Sequence, residues 1–438
     1  MTRILVLGGG FGAMAAARKL ERLLRPGEAE ITVVSYENFT VFTPMLPEVP
    51  SGNLEPRHVV TPIRAQLRRS RFVLGQVVGV DFAARIVEVN HAIDGSRYRL
   101  AYDHVVFALG SVTSTFNLPG VAERSFPLKG LEDAERIRNH ALACFELADV
   151  TGEEQKRRRL LTFAIVGGGF TGVEAAGEFT DFFRSIARFY RAVDPSEISL
   201  VLVEAGPRLL PDLPPAMGEY SVRALERRGV RILLNAPVAA ADKDGLSLKD
   251  GTRVETSTLI WSAGVKPSPL VASLPIGTGR GGAIVVQRDL SVADYPGVWA
   301  IGDCAQVPSP AGGWYPPTAQ HAIREGPVVA RNIVNALRGL PTQPFRYEAL
   351  GMMASLGGRR GVAGLRGGYV LTGFLAWLLW RTYYLLRLPG LDRQVRVALD
   401  WTLGLVFPRD ISELRLYTES DRDATGADRR PGRRGAEL

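Results

Sequence analysis

Arg3-Ile-Leu-Val-Leu-Gly-Gly-Gly-Phe-Gly-Ala13 reads as a short apolar strand that runs into three glycines and opens a helix. The pattern returns at Thr162-Phe-Ala-Ile-Val-Gly-Gly-Gly-Phe-Thr-Gly172. In each copy the first glycine, Gly8 or Gly167, permits a tight turn. The second, Gly10 or Gly169, lets a pyrophosphate approach the backbone. A small third residue, Ala13 or Gly172, lets helix and strand pack closely. The helix N-terminus then offers free N–H groups and a positive dipole end to phosphate. Two copies with matching flanks are hard to obtain from turn glycines alone, so the sequence predicts two dinucleotide sites.

Outward from these motifs the chain repeats itself in outline. Each copy is followed by a helical stretch and a second apolar run, Ile31–Val34 or Leu200–Val203. Each later has an apolar run closed by small residues, Val105-Val-Phe-Ala-Leu-Gly-Ser111 and Leu259-Ile-Trp-Ser-Ala-Gly264. Strand, glycine turn, helix, strand is the signature of parallel α/β units. A further strand leading to a polar turn, Gly297-Val-Trp-Ala-Ile-Gly-Asp303, suggests that the first unit resumes after the second. The expected fold is α/β with two Rossmann-like domains. The first spans 1–120 and 290–350 and is interrupted by a second at 155–289. A helical C-terminal region over 351–415 follows, then a disordered tail, 416–438, with almost no apolar content.

The acidic position at the end of the second strand refines each site. Glu204 accepts hydrogen bonds from a ribose 2′-hydroxyl and repels a 2′-phosphate, which favours NADH over NADPH; Arg208 nearby argues the other way. In the first copy that position is Ser35, read either as a turn residue or as a weaker ribose contact shared with Glu37.

Composition excludes several other chemistries. The chain has 438 residues, 46% of them apolar, and a net charge of +8. Its two cysteines, Cys144 and Cys304, are too few for a disulfide framework and too far apart for a Cys-x-x-Cys redox pair. Five histidines leave little for a metal centre, and none is expected. A reducing compartment fits best. No signal peptide is evident, and the most apolar stretch, Tyr369–Trp380, is too short for the roughly 20 residues of a spanning helix.

The residues resemble the type II NADH:quinone oxidoreductases, single-subunit flavoproteins of the disulfide-reductase-like superfamily. Matches run in order from Asn38-Phe-Thr-Val-Phe-Thr-Pro-Met-Leu46 and Phe126-Pro-Leu-Lys-Gly-Leu-Glu-Asp-Ala134 to Pro316-Pro-Thr-Ala-Gln320. They continue in Phe374-Leu-Ala-Trp-Leu-Leu-Trp380 and Leu399-Asp-Trp401. The resemblance implies FAD on Gly8, Gly10, Gly12 and Ala13, continued by Gly110, Gly302 and Asp303. It implies NADH on Gly167, Gly169, Gly172, Glu204 and Gly264. Ala319 and Gln320 would lie beside the flavin near the quinone. Glu174 would lie near nicotinamide and flavin rather than being an ordinary exposed helix residue, and Lys129 near the flavin rather than at the surface. The family usually continues Ala-Gln with a small residue and glutamines, whereas here His321, Arg324 and Glu325 follow.

The implied activity is hydride transfer from NADH to FAD and then two electrons to a membrane quinone, without proton pumping. A soluble NAD(P)H-dependent flavin reductase and a non-catalytic NAD(H) sensor are the alternatives. The charge has an address as well. Met353–Ile411 holds eight arginines and three aspartates without Lys or Glu, +5 of the total. With Trp377, Trp380, Tyr383, Tyr384 and Trp401 it suits an anionic bilayer surface, not nucleic acid. That implies a peripheral enzyme on the cytoplasmic face of the membrane, with a homodimer possible. It also implies that removing residues after about Gly351 spares FAD binding.

Overall fold

The computed structural model describes residues 1–349 and 351–414; the tail expected to be disordered lies outside them. The chain opens with β1 (Thr2–Leu7), α1 (Phe11–Leu23), β2 (Ala29–Ser35), β3 (Arg71–Asp81), β4 (Ile86–His91), β5 (Arg97–Ala101) and β6 (His104–Phe107). It continues with β7 (Ser125–Pro127), α2 (Leu131–Val150), β8 (Thr162–Val166), α3 (Phe170–Ile186), β9 (Ser199–Val203), β10 (Val230–Leu233), β11 (Thr258–Trp261), β12 (Val298–Ala300) and α4 (Ala319–Leu337). It closes with β13 (Gly351–Ser355), β14 (Gly361–Leu365), β15 (Val370–Thr372), α5 (Gly373–Arg387) and α6 (Leu391–Leu403).

The first sheet has the order β12-β6-β1-β2-β3-β4-β5. Its first five strands are parallel, and β4 and β5 extend it as an antiparallel meander. The second, all parallel, has the order β7-β11-β8-β9-β10. Strand β12 arrives from the far side of the second domain and joins β6, so the interruption read from the sequence is real. The two crossings are themselves paired: Ser111–Thr113 leaves and Val265–Pro267 returns as an antiparallel ribbon.

Two expected boundaries move. The second domain ends near Gly264, not at 289, because Val271, Ile276, Ile284, Val286 and Leu290 are buried in the core of the first sheet. It also begins before 155: β7 forms the edge of its sheet, and Ala134, Ile137, Leu142 and Phe145 of α2 pack with Phe163 and Phe183. Neither segment carries a glycine motif, so only packing assigns them.

The C-terminal region is not purely helical. Strands β13, β14 and β15 form an antiparallel sheet before α5 and α6. Nor is it an appendix. Ala354, Leu356, Val362, Trp380, Leu388, Val397 and Trp401 share one buried cluster with Phe179, Phe183 and Met217 of the second domain. Burying an aromatic or aliphatic side chain of this size stabilises by about 2–3 kcal/mol. The opposite faces are bare: Phe374, Leu375 and Leu386 on α5, Leu391, Val395, Leu399 and Leu403 on α6, and Val406 and Phe407 beyond it are exposed. Among the described residues no helix is long and apolar enough to cross a membrane.

Candidate functional site

Both glycine motifs sit where parallel strands end, and their geometries repeat. Gly8 has φ +123° and donates to Val34 O at 2.7 Å; Gly167 has φ +115° and donates to Val203 O at 2.8 Å. A Cβ on Gly8 would run into the carbonyl of Ala108, and one on Gly172 into the carbonyl of Gly167. These positions demand glycine for conformation and for close approach. Gly10 and Gly169 are different: where a Cβ would stand, no atom lies within 4 Å. They cap α1 and α3 without a side chain. Each cradle is thus open space in front of a helix N-terminus, which suits a pyrophosphate.

In the first cradle three strand ends converge. Beside Gly8–Ala13 lie Gly110, after β6, with φ +66° and open space around it, and Gly302, after β12, with φ +70°. Gly12 lies against Ile301, and Gly326 of α4 meets Ala15 and Gly12 O so closely that a side chain would part the helices. The Asp303 carboxylate accepts from Ser111 Oγ at 2.6 Å, and Lys129 Nζ donates to the same hydroxyl at 2.9 Å, 3.6 Å from the carboxylate. The fold therefore brings Lys129 and Asp303 together through Ser111, which carried no signal of its own. Ser35 ends β2 against Gly9, and Glu37 is exposed just beyond it. An open helix N-terminus, a ribbon of glycine turns and an Asp–Ser–Lys group fit an elongated, anionic dinucleotide such as FAD.

The second cradle adds a carboxylate. Glu204 accepts from Gly168 N at 2.5 Å and Gly206 N at 2.6 Å, so its position at the mouth of the loop is fixed from both sides. Gly264 (φ +74°) shares the left-handed backbone of Gly110, but here the Phe116 ring fills the space where a Cβ would stand.

Glu174, one turn into α3, is buried and not an exposed helix residue. Its Oε1 accepts from Trp380 Nε1 of α5 at 2.8 Å and from Ser355 N at 3.1 Å. Burial pushes its carboxyl up to about 8, against the pull of those two donors. One turn on, Glu178 accepts from Arg409 Nη2 and Ser51 Oγ, both at 3.3 Å. Glu48 accepts from Trp401 Nε1 at 2.8 Å and from Asn53, and burial followed by the neighbouring Glu178 raises it to about 7. Three buried carboxylates thus tie both domains to the C-terminal region, Glu174 and Glu48 through its helices and Glu178 through Arg409 beyond them. The sequence reading missed Glu48 and Glu178; for Glu178 the available signal was its place one helical turn after Glu174 in the largely apolar stretch Val173–Phe183.

Ala319 and Gln320 open α4, and Gln320 touches Gly351 and Tyr347. Glu325 accepts from Gly302 N at 2.7 Å and is raised by burial to about 7. Cys304 is buried and donates to Phe107 O and Ile301 O; burial pushes it up to about 12, the behaviour of a packing thiol.

Two open cradles on interleaved Rossmann-like domains define a pyridine-nucleotide-linked flavoprotein oxidoreductase. Residues 2–326 match the pyridine nucleotide-disulphide oxidoreductase family, and residues 350–410 match the NDH2 C-terminal domain. The type II NADH:quinone oxidoreductase Ndh of Mycobacterium tuberculosis is 32% identical over 93% of this chain and 89% of its own. A probable NADH dehydrogenase of Dictyostelium discoideum is 32% identical over 94% of this chain and 91% of its own. NDH2 from Plasmodium falciparum, solved with NADH, has the same fold, with a TM-score of 0.86 over 94% of this chain and 99% of that one at 21% identity. The chain belongs to the type II NADH:quinone oxidoreductase family, whose members depend on FAD.

Proposed function

We propose that this protein oxidises NADH and passes the electron pair to a quinone of the adjoining membrane, with FAD as the resident carrier. When bound, FAD accepts a hydride from the nicotinamide and releases two electrons to the quinone. The chain's own residues position and insulate. Gly8, Gly10, Gly12, Ala13, Gly110, Gly302 and Asp303 would hold FAD, with Lys129 near its ring and Ser35 and Glu37 at the ribose. Gly167, Gly169, Gly172, Glu204 and Gly264 would hold NADH, and the Glu204 carboxylate favours a free ribose hydroxyl over a 2′-phosphate. Glu174, protonated near neutral pH, would place a neutral hydrogen-bonding group beside the nicotinamide. Ala319 and Gln320 would meet the quinone.

The exposed apolar faces of α5 and α6 support a peripheral seat on the bilayer, and the exposed arginines of the region, Arg359, Arg360, Arg366, Arg387 and Arg396, support an anionic surface. Because NADH enters from the cytoplasm, we place the protein on the cytoplasmic face. A homodimer is the other occupant those faces would accept. The repeated cradle, open at Gly10 and again at Gly169, carries the reading.

Anaerobic mixing of the holoprotein with NADH, followed by a short-chain quinone, tests it. The flavin is expected to bleach and then recover. Flavin that bleaches but is not reoxidised by quinone assigns another acceptor, and flavin that stays oxidised makes the protein a nucleotide sensor.

A further inference from the structure

A polar assembly beside the acceptor site is used by neither cradle. Both ends of the Gln320 carboxamide are engaged: Nε2 donates to Gly351 O at 3.0 Å, and Oε1 accepts from Tyr347 Oη at 3.1 Å. A backbone carbonyl can only accept, so the NH2 must face Gly351 and the amide has one orientation. One of its two N–H donors is spent there. The other is uncommitted among the described residues.

The tyrosine that fixes the amide is fixed in turn. The Arg324 guanidinium lies 4.2 Å from the centroid of the Tyr347 ring, and Arg324 Nη1 donates to Gln320 O at 2.8 Å. His321 packs edge-on against Tyr347 at 5.3 Å, while its Nδ1 pairs with Thr318 Oγ1 at 2.7 Å. Tyr347 N donates to Tyr315 Oη at 3.0 Å. His321 and Arg324, where this chain departs from the usual family run, are therefore parts of one clamp. It closes on Tyr347, in the irregular segment between α4 and β13.

We infer that Tyr347 and Arg324 are positioning residues for quinone: they hold Gln320 so that its free N–H is presented to a quinone carbonyl oxygen. This rests on Gln320 meeting the quinone. An unclamped glutamine must lose its rotamer freedom on binding, and removing one donor costs a hydrogen bond, so each loss weakens quinone binding by about 3- to 10-fold.

Holoprotein carrying Tyr347→Phe, Arg324→Gln or Gln320→Ala tests this by steady-state kinetics with a short-chain quinone, alongside the anaerobic rate of flavin reduction by NADH. Tyr347→Phe and Arg324→Gln should raise the quinone KM by about 3- to 10-fold. The NADH KM, flavin content and reduction rate should stay at parental values, which a merely structural lesion would not spare. If Gln320→Ala raises the quinone KM while both clamp variants stay within about twofold of the parent, the clamp is refuted and the acceptor site stands. If Gln320→Ala itself leaves that KM unchanged, the placement of quinone at Gln320 fails and the clamp with it.

Discussion

Glu174→Gln isolates the charge of one buried carboxyl with little change of shape. Both donors, Trp380 Nε1 and Ser355 N, reach the same oxygen, Oε1, and the glutamine carbonyl oxygen accepts both in its place. Burial raises the acid from 4.5 to about 8 in the folded protein. Between those values the folded state keeps a proton that the unfolded chain has released. Stability therefore falls as pH rises through this window, and the fall ends above the folded value. At 1.36 kcal/mol per pKa unit, the loss attributable to this group between pH 5 and pH 8 is about 3 kcal/mol. Glu48 and Glu325 titrate in an overlapping range, so the measured quantity is a difference of slopes. Urea unfolding of parent and variant, followed by flavin fluorescence at pH 5, 6, 7 and 8, reads it. The stability gap should shift in favour of glutamine by about 1 kcal/mol per pH unit. Parallel pH curves would show that burial does not hold Glu174 protonated.

Other outcomes follow from the same geometry. Gly172→Ala drives a Cβ into the carbonyl of Gly167 and should abolish tight NADH binding while FAD remains, checked by nucleotide titration of the holoprotein. Glu204→Ala frees Gly168 and Gly206 and should raise the NADH KM by about tenfold, from the loss of charged hydrogen bonds, while narrowing the preference over NADPH; kcat/KM for both nucleotides is the check. A chain ending at Gly351 loses Trp380, Trp401 and Arg409 and strips partners from Glu174, Glu48 and Glu178. It should fail to fold as a flavoprotein, measured by bound flavin and circular dichroism; this reverses the expectation that the region is dispensable. Leu375→Glu with Phe407→Glu, both on the exposed face, should weaken co-sedimentation with anionic vesicles and leave soluble-quinone turnover intact.

Sequence alone determined the elements whose physics is local. A strand, three glycines and a helix must form a turn open to phosphate, because the φ values and the free N–H groups are set within about ten residues. Two copies then forced two α/β domains, and Gly297–Asp303 revealed that one interrupts the other. The same logic singled out Glu204 at a strand end, whereas the role expected of Asp303 came from the family resemblance. Whatever depends on distant partners was settled by the fold. Glu174 meets Trp380 across 206 residues and Glu48 meets Trp401 across 353, so their burial and protonation could not be read along the chain. The domain boundaries near Gly264 and β7, and the incorporation of α5 and α6 into the core, follow from which apolar faces find each other. Gln320 shows the division most plainly. The family resemblance marked it in the sequence, but the direction of its free N–H is set by Tyr347 and Gly351, which only the fold brings to its two ends.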